Sequence, residues 1–164
     1  MAKFMFKGLD ELESQLSQLA TSDSIRAVCG ATIYAGADVV ANEIRKGIDA
    51  LPVVDHRVKG SEDHKIAGLT SAQKKGLQES FGITPLSQED GYYNVKLGFD
   101  GYNSVRTKKY PGGQPNSMIA RSVNSGTSFR QKIPFVDTAV RKAKNPALQA
   151  METACDDAIK KQIK

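Results

Sequence analysis

"TSDSIRAVCGATIYAGADVVANEIRKGIDALP", residues 21–52, decides the fold. Within it Ile25, Val28, Cys29, Thr32, Ile33, Gly36, Val39, Val40, Ile44 and Ile48 recur at three- and four-residue intervals, which places them on one face of an α-helix. The leading "TSDS" offers hydroxyl and carboxylate oxygens to the free N–H groups of a first turn, so the helix is expected to start near Ser24. Leu51-Pro52 closes it, giving about 26 residues and roughly 39 Å of rod. A rod of that length must bury one face along most of its course. It is rich in Ala and Gly, and a glycine in a helix interior costs about 1 kcal/mol relative to alanine. Gly30 and Gly36 therefore imply a close neighbour, from this chain or from a second subunit.

Working outward, "KFMFKG" reads as a short strand with Phe4 and Phe6 on one side, and Leu9, Leu12, Leu16 and Leu19 form the apolar stripe of a short amphipathic helix. Downstream of Pro52 the apolar rhythm fails as far as Gly68, and the stretch reads as a polar arm. "LTSAQKKGLQESFGIT" is then a short helix capped by Thr70 or Ser71, closed by Gly82 and stopped by Pro85. Tyr93, Val95, Leu97 and Phe99 alternate at a period of two ahead of Asp100-Gly101, and a second strand-like run follows. Asp-Gly supplies the positive φ angles of a tight turn, so a β-hairpin is expected there. "KKYPGGQPN" is a loop able to reach away from the body, and "SMIARSVNSG" is a short helix capped by Asn116 or Ser117 and ended by Gly126. A further helix runs from Pro134-Phe135 to Asn145-Pro146, where it is expected to stop and restart into a C-terminal helix striped by Leu148, Met151, Cys155, Ala158, Ile159 and Ile163. The pattern is α+β: long N-terminal and C-terminal helices packed on a small antiparallel sheet with a hairpin.

The 164 residues most simply make one domain, 1–164, with a variable arm at about 53–90. No stretch approaches the roughly 18 unbroken apolar residues of a membrane span, and "MAKFMFKGLDELE" lacks the apolar core of a secretory signal, so the chain is expected in the cytosol that makes it. Cys29 and Cys155 both lie in helical patterns and read as reduced, buried thiols.

A catalytic reading lacks parts. His56 and His64 are the only histidines, and their spacing beside Asp55, Glu62 and Asp63 matches no compact zinc motif. Neither a Gly-x-Ser-x-Gly elbow nor a phosphate-cradling glycine motif is present. The expectation is therefore no enzyme, no catalytic or metal residue and no cofactor. Charge says more: 23 basic against 18 acidic residues give a net +5, with much of the excess in "RVKG", "QKKG", "VRTKKY" and "VRKAK". A solvated basic face accounts for this in the simplest way. The functional alternative is a polyanion or an acidic protein surface met by Arg57, Lys59, Arg106, Lys108, Lys109, Tyr110, Arg130 and Lys132.

The order of parts resembles a known family. "FKGLDELESQLSQL" leads into a long Ala-rich helix ending in "ALP"; an arm and a hairpin follow, and then "SVNSGTSFRQKIPFVDTAVRKA". This resembles, over essentially the whole chain, the minor tail-component family of long-tailed bacteriophages and prophages, also called tail-completion or neck proteins. The matching positions are Gly8, Leu9, Leu12, Pro52, Gly126, Thr127, Pro134 and Phe135, and their order and spacing carry the likeness. The helix read at 69–84 is an addition to the family's usual pattern.

The resemblance implies a non-catalytic structural protein of the virion, located at the head-to-tail joint and assembled in the host bacterial cytoplasm. Its implied partners are copies of itself in a ring, head-closure or connector proteins, and tail-tube or tail-terminator proteins, with non-specific contact to genomic DNA in the channel. A ring of like subunits needs head-to-tail contacts, and the arms at 53–68 and 108–116 are the expected patches. A tail-terminator ring protein and a DNA-associated binding module are the alternatives.

Overall fold

In the computed structural model, residues 14–17, 19–54 and 60–163 are described. The chain is α+β. Helix α1 spans Ser22–Asp49, α2 Ser71–Ser80, α3 Asn116–Ser125 and α4 Phe135–Gln162, and strands β1 Phe81–Ile83, β2 Ser87–Glu89, β3 Tyr92–Asn94 and β4 Leu97–Phe99 lie between α2 and α3. The strand expected before α1 and two of the four leucines of the stripe, Leu9 and Leu12, lie outside the described residues, and residues 14–17 and 19 are helical.

Thr21 caps α1, its Oγ1 accepting from the Ser24 N–H at 3.2 Å. The helix ends at Asp49, two residues short of the expected Leu51, with Leu51 folded back and buried. Alongside it α4 runs antiparallel: Ser24 donates to Gln162 Oε1 at one end, Gly36 faces Ala147 and Met151 in the middle, and Gly47 faces Phe135 at the other. The neighbour implied by the helix glycines is thus within the chain. A Cβ at Gly36 would lie 2.6 Å from Met151 Cγ, and one at Gly30 would lie 3.3 Å from Leu86 Cδ2.

Two expectations change. The helix expected to break at Asn145-Pro146 is continuous for 28 residues with Pro146 inside it. Ala143 and Ala147, on either side of the proline, are buried while Asn145 and Pro146 are exposed. The apolar face crosses the proline, and its packing on α1 overrides the one backbone bond a proline removes.

The hairpin, second, turns at Asp90-Gly91 and not at Asp100-Gly101. Asp90 and Gly91 take φ of 51° and 84°, the left-handed values of the favoured tight turn, and join β2 to β3. Outside that pair β1 bonds β4, with Phe81 opposite Phe99 and Ile83 opposite Leu97. Thr84 N–H donates to the Lys96 carbonyl between the two ladders. Residues 81–99 therefore form one long hairpin interrupted by a bulge: three residues separate β1 from β2 and two separate β3 from β4. Pro85, read as a stop, sits in that bulge, where a missing N–H costs no ladder bond. Tyr34 of α1 fastens the same place, its hydroxyl accepting from Leu86 N–H at 2.8 Å.

The core gathers Ala41, Ile44 and Ile48 of α1 with Leu51, Leu69, Leu77, Phe81, Ile119, Val123, Phe135 and Ala139. Phe99 stacks between Phe81 and Phe135, with centroids 5.1 and 6.3 Å away. Part of the expected arm at 53–90 belongs to this core, since Leu69 and Leu77 are fully buried. The polar stretch before it is stitched down as well: Val54 N–H donates to Leu69 O, and Ile66 bonds Phe129 and Gln131. Among the described residues no helix is long and apolar enough to cross a membrane.

Candidate functional site

After Asp100 the backbone leaves the core and returns at Asn116 as a narrow finger. Tyr102 bridges Pro115, Asn103 N–H donates to Gln114 O, Gln114 N–H donates to Val105 O, and Thr107 and Tyr110 bond each other in both directions. The second strand-like run expected after Asp100-Gly101 is one side of this finger. Lys108 and Lys109 form its turn and Arg106 lies just below; all three are exposed, and Tyr110 is half-buried with Lys109 Nζ 5.6 Å from its ring centre.

The base is held by buried amides. Asn103 Oδ1 accepts from Val105 N–H at 2.7 Å, and Asn116 Nδ2 donates to the Asp100 carbonyl at 3.0 Å. Asn116, expected as a cap, thus faces the finger, and α3 begins after Pro115 with no side-chain cap. Gly113, at φ 113°, passes so close to the Asn103 carbonyl that a side chain would have no room. Gln114 Oε1 accepts from Gln73 Nε2 at 2.9 Å, which ties the finger to the first turn of α2. Gln73 and Thr70 form a reciprocal capping box there.

Arg130 stands behind that box. It is not a surface residue: it is 7% exposed, and its guanidinium donates to the Gly68 carbonyl at 2.8 Å and to Gln73 Oε1 at 3.4 Å. Burial pushes its pKa below the ordinary value, yet a guanidinium so placed remains charged at neutral pH. Its expected place in a partner-facing patch is corrected to a structural one, because it threads together α2, the 127–131 loop and the returning segment at Gly68. Lys132 does remain exposed. Arg57 and Lys59 lie outside the described residues, as do Gly8, Leu9 and Leu12.

The other positions of the family likeness sit at joints between elements. The Pro52 carbonyl accepts from Leu69 N–H. Gly126 ends α3 at φ 75° with the Lys132 backbone close by. Thr127 Oγ1 accepts from Arg130 N–H at 3.0 Å. Pro134 precedes α4 without a capping side chain, and Asn124 of α3 supplies the acceptor, its Oδ1 taking the Val136 N–H at 3.0 Å. Phe135, the first residue of α4, is buried in the core.

A groove of about 440 Å³ runs along the finger base, lined in part by Lys75, Glu79, Ser80, Asp100 and Tyr102. Three buried atoms there, Ser80 Oγ, Asn103 Nδ2 and Asn116 Oδ1, have no hydrogen-bond partner among the described residues. Glu79 faces Lys75 at 3.7 Å, and Asp100 Oδ1 accepts from Gly101 N–H. No nucleophile is set against a base in this groove, and among the described residues no group of three or more His, Cys, Asp or Glu is placed to hold a metal.

Of the residues singled out in the sequence, the structure brings Arg106, Lys108, Lys109 and Tyr110 together at one tip. Gln73, Asn103, Gln114, Asn116 and Asn124, which position that tip and the helices around it, carried no sequence signal as a group; only the Thr70–Gln73 spacing of the capping box was readable. Comparison with protein-family models, with curated proteins and with solved structures finds no match to this chain.

Proposed function

We propose that this chain is a structural protein of a long-tailed phage or prophage, acting at the joint between head and tail as a tail-completion or neck component. The observation that carries the reading is the order of the joints. A proline follows the long helix, Gly126-Thr127 closes the short helix, and Pro134-Phe135 opens the last one with the aromatic ring in the core. An antiparallel pair of 28-residue helices gives a stiff body, and a finger pinned at its base offers a second surface, which is what a subunit that must meet different neighbours on different sides requires. In this role the chain catalyses nothing, binds copies of itself in a ring, and meets the head-closure and tail proteins on the ring's two faces.

The test is deletion of the gene from the phage or prophage that encodes it. DNA-filled heads beside detached tails are the expected outcome, with joining restored when purified protein is added to the mixed halves. Particles of normal infectivity without it, or purified virions lacking this chain by mass spectrometry, would overturn the reading. Tails of uncontrolled length would assign it to tail termination instead.

A further inference from the structure

The net positive charge of the chain comes from one stretch of its sequence. Residues 101–136 contain no Asp or Glu and hold Arg106, Lys108, Lys109, Arg121, Arg130 and Lys132, which leaves 17 basic against 18 acidic residues elsewhere. The whole positive balance therefore belongs to the finger and the segments that follow it. Arg130 is buried, and the other five side chains are exposed. Ion pairs join Lys46 to Glu43, Lys75 to Glu79 and Lys96 to Glu89, but no described carboxylate pairs with Arg106, Lys108 or Lys109.

We propose that the finger tip binds the phosphodiester backbone of duplex DNA without preference for sequence. Three cations within four residues stand at the turn of a loop that backbone hydrogen bonds hold closed, and all three are exposed, which is what contact with a phosphate backbone requires. Arg106 and the two lysines of the turn form no ion pair with a described carboxylate, so none is lost when they meet phosphates. A symmetric contact of the tip with the tip of a second copy does not suit it, since two surfaces of one sign repel. An acidic protein suits it less well than DNA: lysine is depleted from protein interface cores, and two of the three tip cations are Lys108 and Lys109, one of which lies over the half-buried Tyr110 ring. Glu79 and Asp100 line the groove at the base. Phosphates are thereby directed to the tip. Arginine and lysine reaching phosphates carry no base information, hence the lack of sequence preference.

The inference stands on the charge and exposure of the finger tip, not on the head-to-tail reading, and its test is separate. Binding of purified full-length protein to short labelled duplexes of two unrelated sequences is followed by fluorescence anisotropy. Equal affinity for both is expected, with a slope of about −0.9 in log affinity against log salt for each phosphate met. For three contacts that is a loss of about 40-fold between roughly 50 and 200 mM salt. The variant R106A/K108A/K109A should remove that part of the slope. K144A/K160A/K161A, which deletes the same formal charge from exposed positions of α4, should keep it.

Melting curves check that both variants fold, and K108E/K109E, changing only the two turn residues, should abolish binding if the triple alanine variant proves unstable. Equal weakening by the tip and control variants, or no binding at the lower salt, would overturn the proposal. Tip-dependent binding of poly-glutamate as tight as that of DNA would reassign the surface to an acidic protein and overturn it too.

Discussion

Arg130 stands on the short connection between α3 and α4 and Phe135 opens α4 just after it, yet they do opposite kinds of work there. Phe135 is 6% exposed, covered by Gly47 and edge-on to Phe99. Phe135→Ala should therefore lower the unfolding free energy in urea by about 3–5 kcal/mol, the range for deleting a core aromatic. A variant of unchanged stability that fails only in assembly would show the ring to belong to an interface. Arg130 fills a polar slot: its removal orphans the Gly68 carbonyl and one bond to Gln73. Arg130→Ala should cost about 1–3 kcal/mol by the same measurement, as unpaired buried acceptors do. Unaltered stability would return Arg130 to the surface role first expected of it. Burial of a polar group cannot be read from its identity; Arg106 and Arg130 look alike in sequence, and only the packing around each separates the exposed one from the buried one.

Among the elements, the two long helices set the frame, and each was legible in its apolar period. Their ends were not equally so. Thr21 was announced by the "TSDS" cluster, whereas the acceptor for the first turn of α4 comes from Asn124 across the Gly126 turn. That bond joins residues 12 apart, so local cap rules do not find it. Pro146 was the clearest local stop signal in the chain, and it stands inside a helix. Because Asn145 and Pro146 are exposed, Pro146→Ala restores a backbone donor without disturbing the α1 contact. It should raise the melting temperature, with a gain of up to about 3 kcal/mol. A fall would mean that the packing of α4 on α1 depends on a bend at the proline. The hairpin turned on a choice between two Asp-Gly pairs, Asp90-Gly91 and Asp100-Gly101, that local turn chemistry does not distinguish. Pairing of Phe81 with Phe99 against Phe135 decided it, since that register buries the aromatic face.

At the scale of the molecule, the core and the finger are separable. Core residues run from Ala41 through Leu77 and Phe81 to Ala139, and the residues at positions 106, 108 and 109 are exposed and outside it. Changing all three to alanine should leave the unfolding free energy within about 0.5 kcal/mol, as exposed substitutions away from caps and cores do. A larger loss would tie the tip to the fold through contacts beyond the Lys109–Tyr110 stacking. The proposed role in a virion makes use of that independence, because one surface can change its partner while the antiparallel pair of long helices keeps the subunit's shape.

By itself the sequence determined the α+β class, the position of both long helices, the helix-ending Gly126 and the start of the last helix at Pro134-Phe135, since periodicity, cap chemistry and positive φ are local properties written in short windows. Tertiary structure alone decided the continuity of α4 through Pro146, the choice of Asp90-Gly91 as the hairpin turn, the burial of Arg130, and the closing of residues 102–115 into a finger held by Asn103, Gln114 and Asn116. Each of these depends on a contact between segments far apart in the chain, where the free energy of burying a shared face or satisfying a buried polar group outweighs the preference of the few residues on either side.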